Sequence, residues 1–315
     1  MNLLSRKPTV TTDSVPYTGL WPAMLTPLDA ALDIDIPAFA AHAKALLAAG
    51  CTGVTPFGTT GEGPSFSVAE RQAALDGLIA GGVPANRILA STSCAALPDT
   101  VALVRHAVRA GVRGCLVLPP FFLKGVPDQG VVDFYSQLVA QVDDARLRIV
   151  LYHIPQVSGV ALSREVIATL LQRFPGTIIG LKDSGCQRAD SLVFAEAFMP
   201  SLQVWVGNEP DLQTLGDRGA LGAVSGVGNI APQLVMRLVQ GTATPTAAAD
   251  QQQVLDLLAI LLGAQGLTAA FKSTMATLTG HDGWRRVRAP LVALDDGAHA
   301  KLAAQWQAFG TDRLR

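Results

Sequence analysis

Short apolar runs alternate along this chain with longer amphipathic segments. The apolar runs predict eight strands at Leu20–Leu25, Gly53–Phe57, Ile88–Ser93, Cys115–Pro119, Leu147–Tyr152, Thr177–Lys182, Leu202–Gly207 and Gly222–Ser225. The segments between them predict helices near 35–49, 67–80, 98–110, 128–142, 163–173, 188–198 and 210–219. Strand and helix alternating to a count of eight is the pattern of a closed parallel barrel, so we expect an α/β protein with a (β/α)8 TIM barrel.

After Ser225 the pattern changes to helices with no strand between them. These helices are predicted at Pro232–Gly241, Ala247–Gly263, Leu267–Thr279 and Ala298–Phe309. We expect a catalytic barrel over residues 15–240 and a C-terminal helical region over 241–315 packed on it. A doubly wound open sheet is the competing architecture, but the turn Thr26-Pro27-Leu28 carries no G-x-G-x-x-G.

Composition agrees with a barrel whose strands are covered on both faces. Of the 315 residues 49 % are apolar and 16 % charged, and the net charge of −1 gives no indication of a nucleic acid or membrane partner. Apolar stretches are too short or too interrupted to span a bilayer. The polar start, Met1–Ser14, has no apolar signal-peptide core, so we expect a cytoplasmic protein.

Cysteines and histidines give no metal-binding pattern. The four cysteines, at 51, 94, 115 and 186, include no C-x-x-C pair, and reduced thiols are expected. The five histidines, at 42, 106, 153, 281 and 299, form no H-x-H or H-E-x-x-H arrangement. A metal-dependent reaction is therefore not indicated.

Lys182 is the first candidate for chemistry. It is the one lysine of six inside an apolar run that predicts a buried strand, Thr177-Ile-Ile-Gly-Leu-Lys182. An amine nucleophile must be neutral, and burial in an apolar site favours the neutral form. The alternative is a structural lysine that pairs with Asp183 or extends to the rim. Strand alternation places Gly180 on the same face, where it would leave room beneath Lys182.

Tyr152 ends the fifth predicted strand, next to the strand of Lys182. In a barrel, catalytic groups lie at the carboxyl ends of the strands, and adjacent strands are about 4.8 Å apart. A phenol and an amine at these positions can act on one reacting atom. The alternative is an interior aromatic whose hydroxyl finds a partner.

The second predicted strand continues into Phe57-Gly58-Thr59-Thr60-Gly61-Glu62-Gly63. Three glycines around two threonines allow backbone N–H groups to converge, and with two hydroxyls such a concavity suits a small carboxylate. The alternative is a glycine-rich turn without a ligand. Ser67-Val-Ala-Glu70 predicts a capping box at the next helix, and Glu62 is expected to anchor the loop.

A second glycine-rich stretch runs from Gly222 to Pro232. It contains no lysine or arginine, so close packing is a better interpretation than a phosphate site. Gly226 within it is retained as a substrate-binding candidate.

Three motifs together resemble one family. Gly58-Thr-Thr-Gly-Glu62, Tyr152-x-x-Pro155 and Gly180-Leu-Lys-Asp183 resemble the dihydrodipicolinate synthase and N-acetylneuraminate lyase superfamily of class I aldolases. The resemblance extends from about Gly19 to the C-terminal helices and includes Leu25-Thr-Pro27 and Val287-Arg-Ala-Pro-Leu291.

The resemblance implies a mechanism without a cofactor. Lys182 would form a Schiff base with pyruvate or another 2-oxo acid, Tyr152 would shuttle the proton, and Thr59 would complete the relay. Thr59 and Thr60, with Gly58 and Gly61 in their loop, would hold the carboxylate through backbone amides and hydroxyls. The second substrate would be an aldehyde, the product a deoxy sugar acid, and the protein a homotetramer or dimer.

Several positions depart from the subfamilies. Lysine-biosynthetic members usually carry an arginine where Val157 stands and a tyrosine where Phe122 stands, so dihydrodipicolinate synthesis loses support. The acidic pair that binds the sugar chain in sialate lyases corresponds to Glu209-Pro210, so only Glu209 could take that role. His153 replaces the usual asparagine and is expected to be structural.

Other functions remain open at this point. One is dehydration of a 2-oxo-3-deoxy acid through the same imine, and another is dihydrodipicolinate synthesis itself. A non-catalytic homologue that binds 2-oxo acids belongs to a different class, and a pyridoxal phosphate enzyme is the remotest option.

Overall fold

The strands form one parallel sheet. In the computed structural model, residues 17–199, 201–240 and 244–310 are described. Seven strands are present in that part: β1 Gly19–Leu20, β2 Leu89–Ser91, β3 Gly114–Val117, β4 Ile149–His153, β5 Ile178–Asp183, β6 Gln203–Val206 and β7 Gly222–Ala223. Their order across the sheet is β1-β7-β6-β5-β4-β3-β2. From β2 to β7 each strand is therefore the neighbour of the next one in the chain, and β1 pairs with β7.

Residues 53–57 close the barrel between its two edge strands. Ala23, just beyond β1, forms a parallel bridge with Thr55, and Val54 forms one with Ile88, just before β2. The N–H of Met24 donates to the carbonyl of Thr55 over 2.9 Å. The predicted second strand is thus reduced to two bridges, because Pro56 has no N–H to continue the ladder. The predicted (β/α)8 barrel is confirmed.

Helices cover the outside of the barrel. They are α1 Ile36–Ala48, α2 Val68–Ala80, α3 Leu97–Ala110, α4 Asp128–Val142, α5 Pro155–Ser158, α6 Arg164–Arg173, α7 Arg188–Phe198, α8 Leu212–Gly216, α9 Pro232–Gln240, α10 Ala247–Leu262, α11 Leu267–Thr279 and α12 Asp296–Phe309. The predicted helices recur within a few residues, except that 210–219 shortens to α8 and that the sequence did not predict α5. The predicted capping box is present, since the Ser67 hydroxyl accepts from the N–H of Glu70 and the Glu70 carboxylate accepts from the N–H of Ser67.

The C-terminal helices α10 to α12 follow the barrel as the predicted appendage. Helices α10 and α11 meet at 106°, and α10 packs against α9 of the barrel. No single described helix has the length and apolar character to cross a bilayer, although this bent pair meets both criteria when taken together. The division at residues 240 and 241 stays a prediction, and residues 241–243 lie outside the described part of the chain.

Two apolar layers support the site. The larger lies between the sheet and the helices, and the smaller fills the barrel interior around the buried indoles of Trp21 and Trp205. A Cβ atom added to Gly180 would collide with the Trp205 ring. The space beside Gly180, which the sequence suggested would lie open beneath Lys182, is therefore filled by Trp205.

Candidate active site

Lys182 and Tyr152 lie side by side at the carboxyl ends of β5 and β4. They are paired in the strand register, and both side chains are almost completely buried. Nζ of Lys182 lies 4.1 Å from the centroid of the Tyr152 ring. The predicted placement of the two residues at one height on neighbouring strands is confirmed.

Thr59 extends this arrangement across the mouth of the barrel. Its Oγ1 lies 3.1 Å from the hydroxyl of Tyr152, and either oxygen can donate. An amine, a phenol ring and two hydroxyls therefore form a continuous series from β5 to the loop after Thr55. Such a series can hold a reacting group at the amine and pass a proton to the rim.

These residues open into a cavity of about 340 Å³. The residues that line it come from strand ends, from the loops that follow them and from α10 and α11: Ala23, Thr59, Thr60, Tyr152, Ile154, Gln156, Val157, Lys182, Ser184, Cys186, Gly207, Asn208, Glu209, Pro210, Val224, Gly226, Leu258, Leu262, Leu267 and Phe271. A larger cavity of about 520 Å³ lies outside the barrel, lined in part by α1 and α11, and none of the three catalytic candidates faces it. We therefore assign the candidate site to the smaller one.

The loop carrying Thr59 and Thr60 has an unusual backbone. Phe57 and Glu62, which flank it, have φ angles of 62° and 58°, a left-handed conformation that is uncommon outside glycine. Within the loop the N–H of Glu62 donates to Thr59 and that of Gly63 donates to Gly58. The N–H groups of Thr59 and Thr60 donate to no residue in the described part of the chain. They are free to meet an anion at the mouth.

Gly58 and Gly61 lie outside the cavity lining. A Cβ atom at Gly58 would meet nothing within 4 Å, whereas one at Gly61 would collide with the carbonyl oxygen of Met24. The Gly61 carbonyl also accepts from the Thr26 hydroxyl over 2.7 Å. Gly61 thus lets the loop approach the segment that follows β1, and its effect on the site is through the shape of the loop.

A buried ion pair holds this loop in place. Nζ of Lys272, on α11, lies 2.6 Å from Oε1 of Glu62, and neither side chain is exposed. The other carboxylate oxygen accepts from the N–H of Arg288. Burial lowers the pKa of Lys272, and the nearby Glu62 carboxylate opposes that shift. Glu62 anchors the loop as predicted, but no pattern in the sequence indicated Lys272 as its partner.

Glu209 and Gly226 lie next to each other in the cavity lining. Oε1 of Glu209 accepts from the Ser225 hydroxyl and from the N–H groups of Gly226 and Val227, at 2.8, 2.9 and 3.2 Å. A Cβ atom at Gly226 would crowd the ring of Phe271 at 3.1 Å. Both residues therefore line the cavity while shaping the loop after β7.

Four polar residues of the lining were missed from the sequence. Ser184 and Cys186 follow β5, Asn208 follows β6, and Gln156 lies on α5. The rule that active sites collect at carboxyl strand ends could have identified the first three. Burial raises the pKa of the Cys186 thiol, and the carboxylates of Glu209, Asp211 and Asp183 add to that shift.

Asp183 and His153 point away from the cavity. The Asp183 carboxylate accepts from the N–H of Gly185 over 2.9 Å and from the Ser191 hydroxyl, so it is not an ion-pair partner for Lys182. Nδ1 of His153 accepts from the N–H of Leu162, and its ring packs edge-on against Phe194. Burial lowers the pKa of His153, which Asp183 partly opposes. His153 has the structural surroundings expected of it.

The two departures from the subfamily pattern lie at different places. Val157 lines the cavity and is 57 % exposed, whereas Phe122 is 78 % exposed and lies outside the lining.

In the described part of the chain, no group of three or more His, Cys, Asp or Glu side chains is arranged to hold a metal ion.

Comparison with known protein sequences identifies one family over nearly the whole chain. The sequence profile of the Dihydrodipicolinate synthetase family matches residues 16–309. An uncharacterized DapA-like lyase of Chloroflexus aurantiacus is 33 % identical over 294 residues, which cover 92 % of this chain and 96 % of that protein.

Solved structures share the fold over nearly the whole chain. The dihydrodipicolinate synthase of Agrobacterium tumefaciens superposes with a TM-score of 0.87 and 33 % identity, covering 93 % of this chain and 99 % of that one. A catalytic lysine mutant of the Ruminococcus gnavus sialic acid aldolase superposes with a TM-score of 0.82 and 23 % identity, covering 94 % and 97 % of the two chains. The second likeness is evidence for the fold alone.

Proposed function

The chain belongs to the dihydrodipicolinate synthetase family, and on that basis we propose that it is a Schiff-base aldolase. It makes or cleaves a carbon–carbon bond of a 2-oxo acid, with pyruvate and an aldehyde as the two small-molecule substrates. The observation that carries this proposal is Nζ of Lys182 lying 4.1 Å from the Tyr152 ring, with the Tyr152 hydroxyl bonded to Thr59.

In the synthetic direction, the neutral amine of Lys182 attacks the carbonyl carbon of pyruvate and water leaves, which gives an imine. The imine draws electrons from the neighbouring methyl carbon, so loss of a proton there gives an enamine in place of an unstabilised carbanion. The enamine carbon then bonds to the aldehyde carbon, and the aldehyde oxygen takes up a proton. Water finally hydrolyses the imine and regenerates the amine.

The neighbouring residues have distinct roles in this scheme. The Tyr152 hydroxyl moves the proton at the bond being made or broken, and Thr59 passes that proton onward through its hydrogen bond. The free N–H groups of Thr59 and Thr60, with the Thr60 hydroxyl, hold the pyruvate carboxylate. Gly61 keeps the loop in the required shape, and the carbonyl of Gly58 closes the loop by accepting from the N–H of Gly63.

Glu209 and Gly226 contact the aldehyde end of the substrate, because they lie in the lining beyond Lys182. No cofactor takes part in this scheme, since the covalent imine at Lys182 provides the electron sink. A homotetramer or dimer is expected, and light scattering on the purified protein measures it directly.

Borohydride trapping tests the proposal. Wild-type protein incubated with pyruvate and borohydride should gain the mass of a reduced pyruvate adduct, located at Lys182 by peptide mapping. Lys182→Met should gain none, while Lys301→Met, which removes an exposed lysine of α12, should behave as wild type. A folded wild-type protein that gives no adduct would exclude the mechanism. Product analysis separates aldol cleavage from dehydration, because dehydration leaves the carbon count unchanged.

A further inference from the structure

The outer part of the cavity is walled by the two helices that follow the barrel. Leu258 and Leu262 lie four residues apart on α10, and Leu267 and Phe271 lie four residues apart on α11, so each pair occupies one helix face. The ring of Phe271 is buried at the base of this wall, whereas Leu262 is 65 % exposed at its rim. The four side chains form a continuous apolar surface facing the mouth.

Charge is scarce in the same cavity. Lys182 and Glu209 are the only charged residues of its lining. Under the proposed function, the amine of Lys182 is consumed in the imine with pyruvate. No second cation of the lining remains to pair with a carboxylate on the aldehyde, and an unpaired buried carboxylate is costly.

Three polar side chains of the lining, those of Gln156, Asn208 and Glu209, are engaged in holding the loops. Nε2 of Gln156 donates to the carbonyl of Ser184 over 2.6 Å, and Nδ2 of Asn208 donates to the Asp211 carboxylate over 2.7 Å. Oε1 of Glu209 accepts three hydrogen bonds from residues 225–227. The Ser184 hydroxyl, which has no hydrogen-bond partner in the described part of the chain, is available to one substrate hydroxyl. An aldehyde with several hydroxyls would have to compete for groups that are already bonded, and this costs free energy.

We propose that the second substrate is an aldehyde with an uncharged, apolar body, branched aliphatic or aromatic, that lies against the wall of Leu258, Leu262, Leu267 and Phe271. This inference rests on the proposed function and specifies the aldehyde. It departs from the deoxy sugar acid expected from the sequence. The product would be a 4-hydroxy-2-oxo acid that carries the apolar group on its hydroxyl-bearing carbon.

The first experiment compares aldehydes on wild-type protein. Trapping with pyruvate and borohydride first establishes the imine, and kcat/KM is then measured at saturating pyruvate for benzaldehyde, 3-methylbutanal, D-glyceraldehyde and succinic semialdehyde. The two apolar aldehydes should exceed the other two by about tenfold or more. A preference for glyceraldehyde or succinic semialdehyde overturns the inference. If pyruvate is trapped at Lys182 but neither apolar aldehyde is turned over, the inference about the aldehyde is overturned while the imine mechanism stands. If pyruvate is not trapped, the imine mechanism and the inference that rests on it are both overturned.

The second experiment tests the wall itself. Leu262→Asn should raise KM for the preferred apolar aldehyde about tenfold, with a smaller change in kcat and no loss of the pyruvate adduct. Leu221→Asn is the matched control, because Leu221 is 54 % exposed and lies outside the cavity. Light scattering on Leu262→Asn measures its oligomeric state. If that state changes while the aldehyde preference stays that of wild type, the wall is a subunit interface and the inference is overturned.

Discussion

Lys272 and Glu62 are 210 positions apart in the chain, yet they form an ion pair of 2.6 Å that no solvent reaches. Glu62 belongs to the loop of Thr59 and Thr60, and Lys272 follows Phe271 of the cavity wall on α11. The pair therefore fixes the two sides of the mouth relative to each other. The same contact holds the backbone of Glu62 in its left-handed conformation.

Removing one partner of this pair should destabilise the protein strongly. Lys272→Met leaves the Glu62 carboxylate buried without its cation, which costs about 3–5 kcal/mol. Urea unfolding measures the loss, and the double variant Lys272→Met/Glu62→Gln should recover part of it because no charge then remains buried. Lys301→Met, at an exposed lysine, should stay within about 0.5 kcal/mol of wild type. A Lys272→Met protein as stable as this control would contradict the prediction.

The Tyr152 hydroxyl should matter for turnover and little for the fold. Tyr152→Phe removes the hydroxyl that we propose as the proton carrier and that is bonded to Thr59, so kcat should fall by about 10²–10⁴-fold while some pyruvate is still trapped at Lys182. Tyr135→Phe is a matched control, because the Tyr135 hydroxyl is also buried but donates to the carbonyl of Val117 on the outer side of β3. Equal turnover in the two variants would remove Tyr152 from the relay.

Gly207 should be required for the position of the Lys182 side chain. A Cβ atom there would collide with Oγ of Ser184 and approach Cε of Lys182 to 3.0 Å. Gly207→Ala should therefore slow pyruvate trapping by displacing the amine. It should also lower the unfolding free energy, because the Cβ atom would lie 2.9 Å from the carbonyl oxygen of Asp183. Gly130→Ala, in the open environment of α4, should trap at the wild-type rate. Wild-type trapping by Gly207→Ala would refute the requirement.

His42 should make the protein sensitive to acid. Burial lowers the pKa of His42 from 6.5 to about 4, and its hydrogen bond with Asn229 opposes the shift only in part. Between pH 6.5 and about 4, His42 binds a proton in the unfolded chain but stays neutral in the folded protein. Stability is therefore complete above pH 6.5 and declines by about 3 kcal/mol as the pH falls to 4, at about 1.36 kcal/mol per pH unit.

The measurement is the unfolding free energy of wild type and of His42→Gln as a function of pH. His42→Gln should lose this part of the pH dependence, since glutamine does not titrate. Parallel curves for the two proteins between pH 4 and 6.5 would show that another group is responsible.

The sequence by itself determined the barrel and the placement of two residues of the candidate site. Strand alternation and helical periodicity are local patterns, so they predicted the order of elements and most helix bounds. The same alternation placed Lys182 and Tyr152 on one face of neighbouring strands, and the register of β4 and β5 confirms that placement. Three short motifs were enough for the family resemblance.

Only the tertiary structure decided what surrounds that chemistry. The indole of Trp205 fills the space beside Gly180, and Lys272 reaches Glu62 from a helix near the far end of the chain. The leucines of α10 and α11 have the spacing of ordinary amphipathic helices, so their sequence cannot say that they face a cavity. These contacts join segments far apart in the chain, and they exist only once the closed barrel brings its strand ends and the following helices to one mouth.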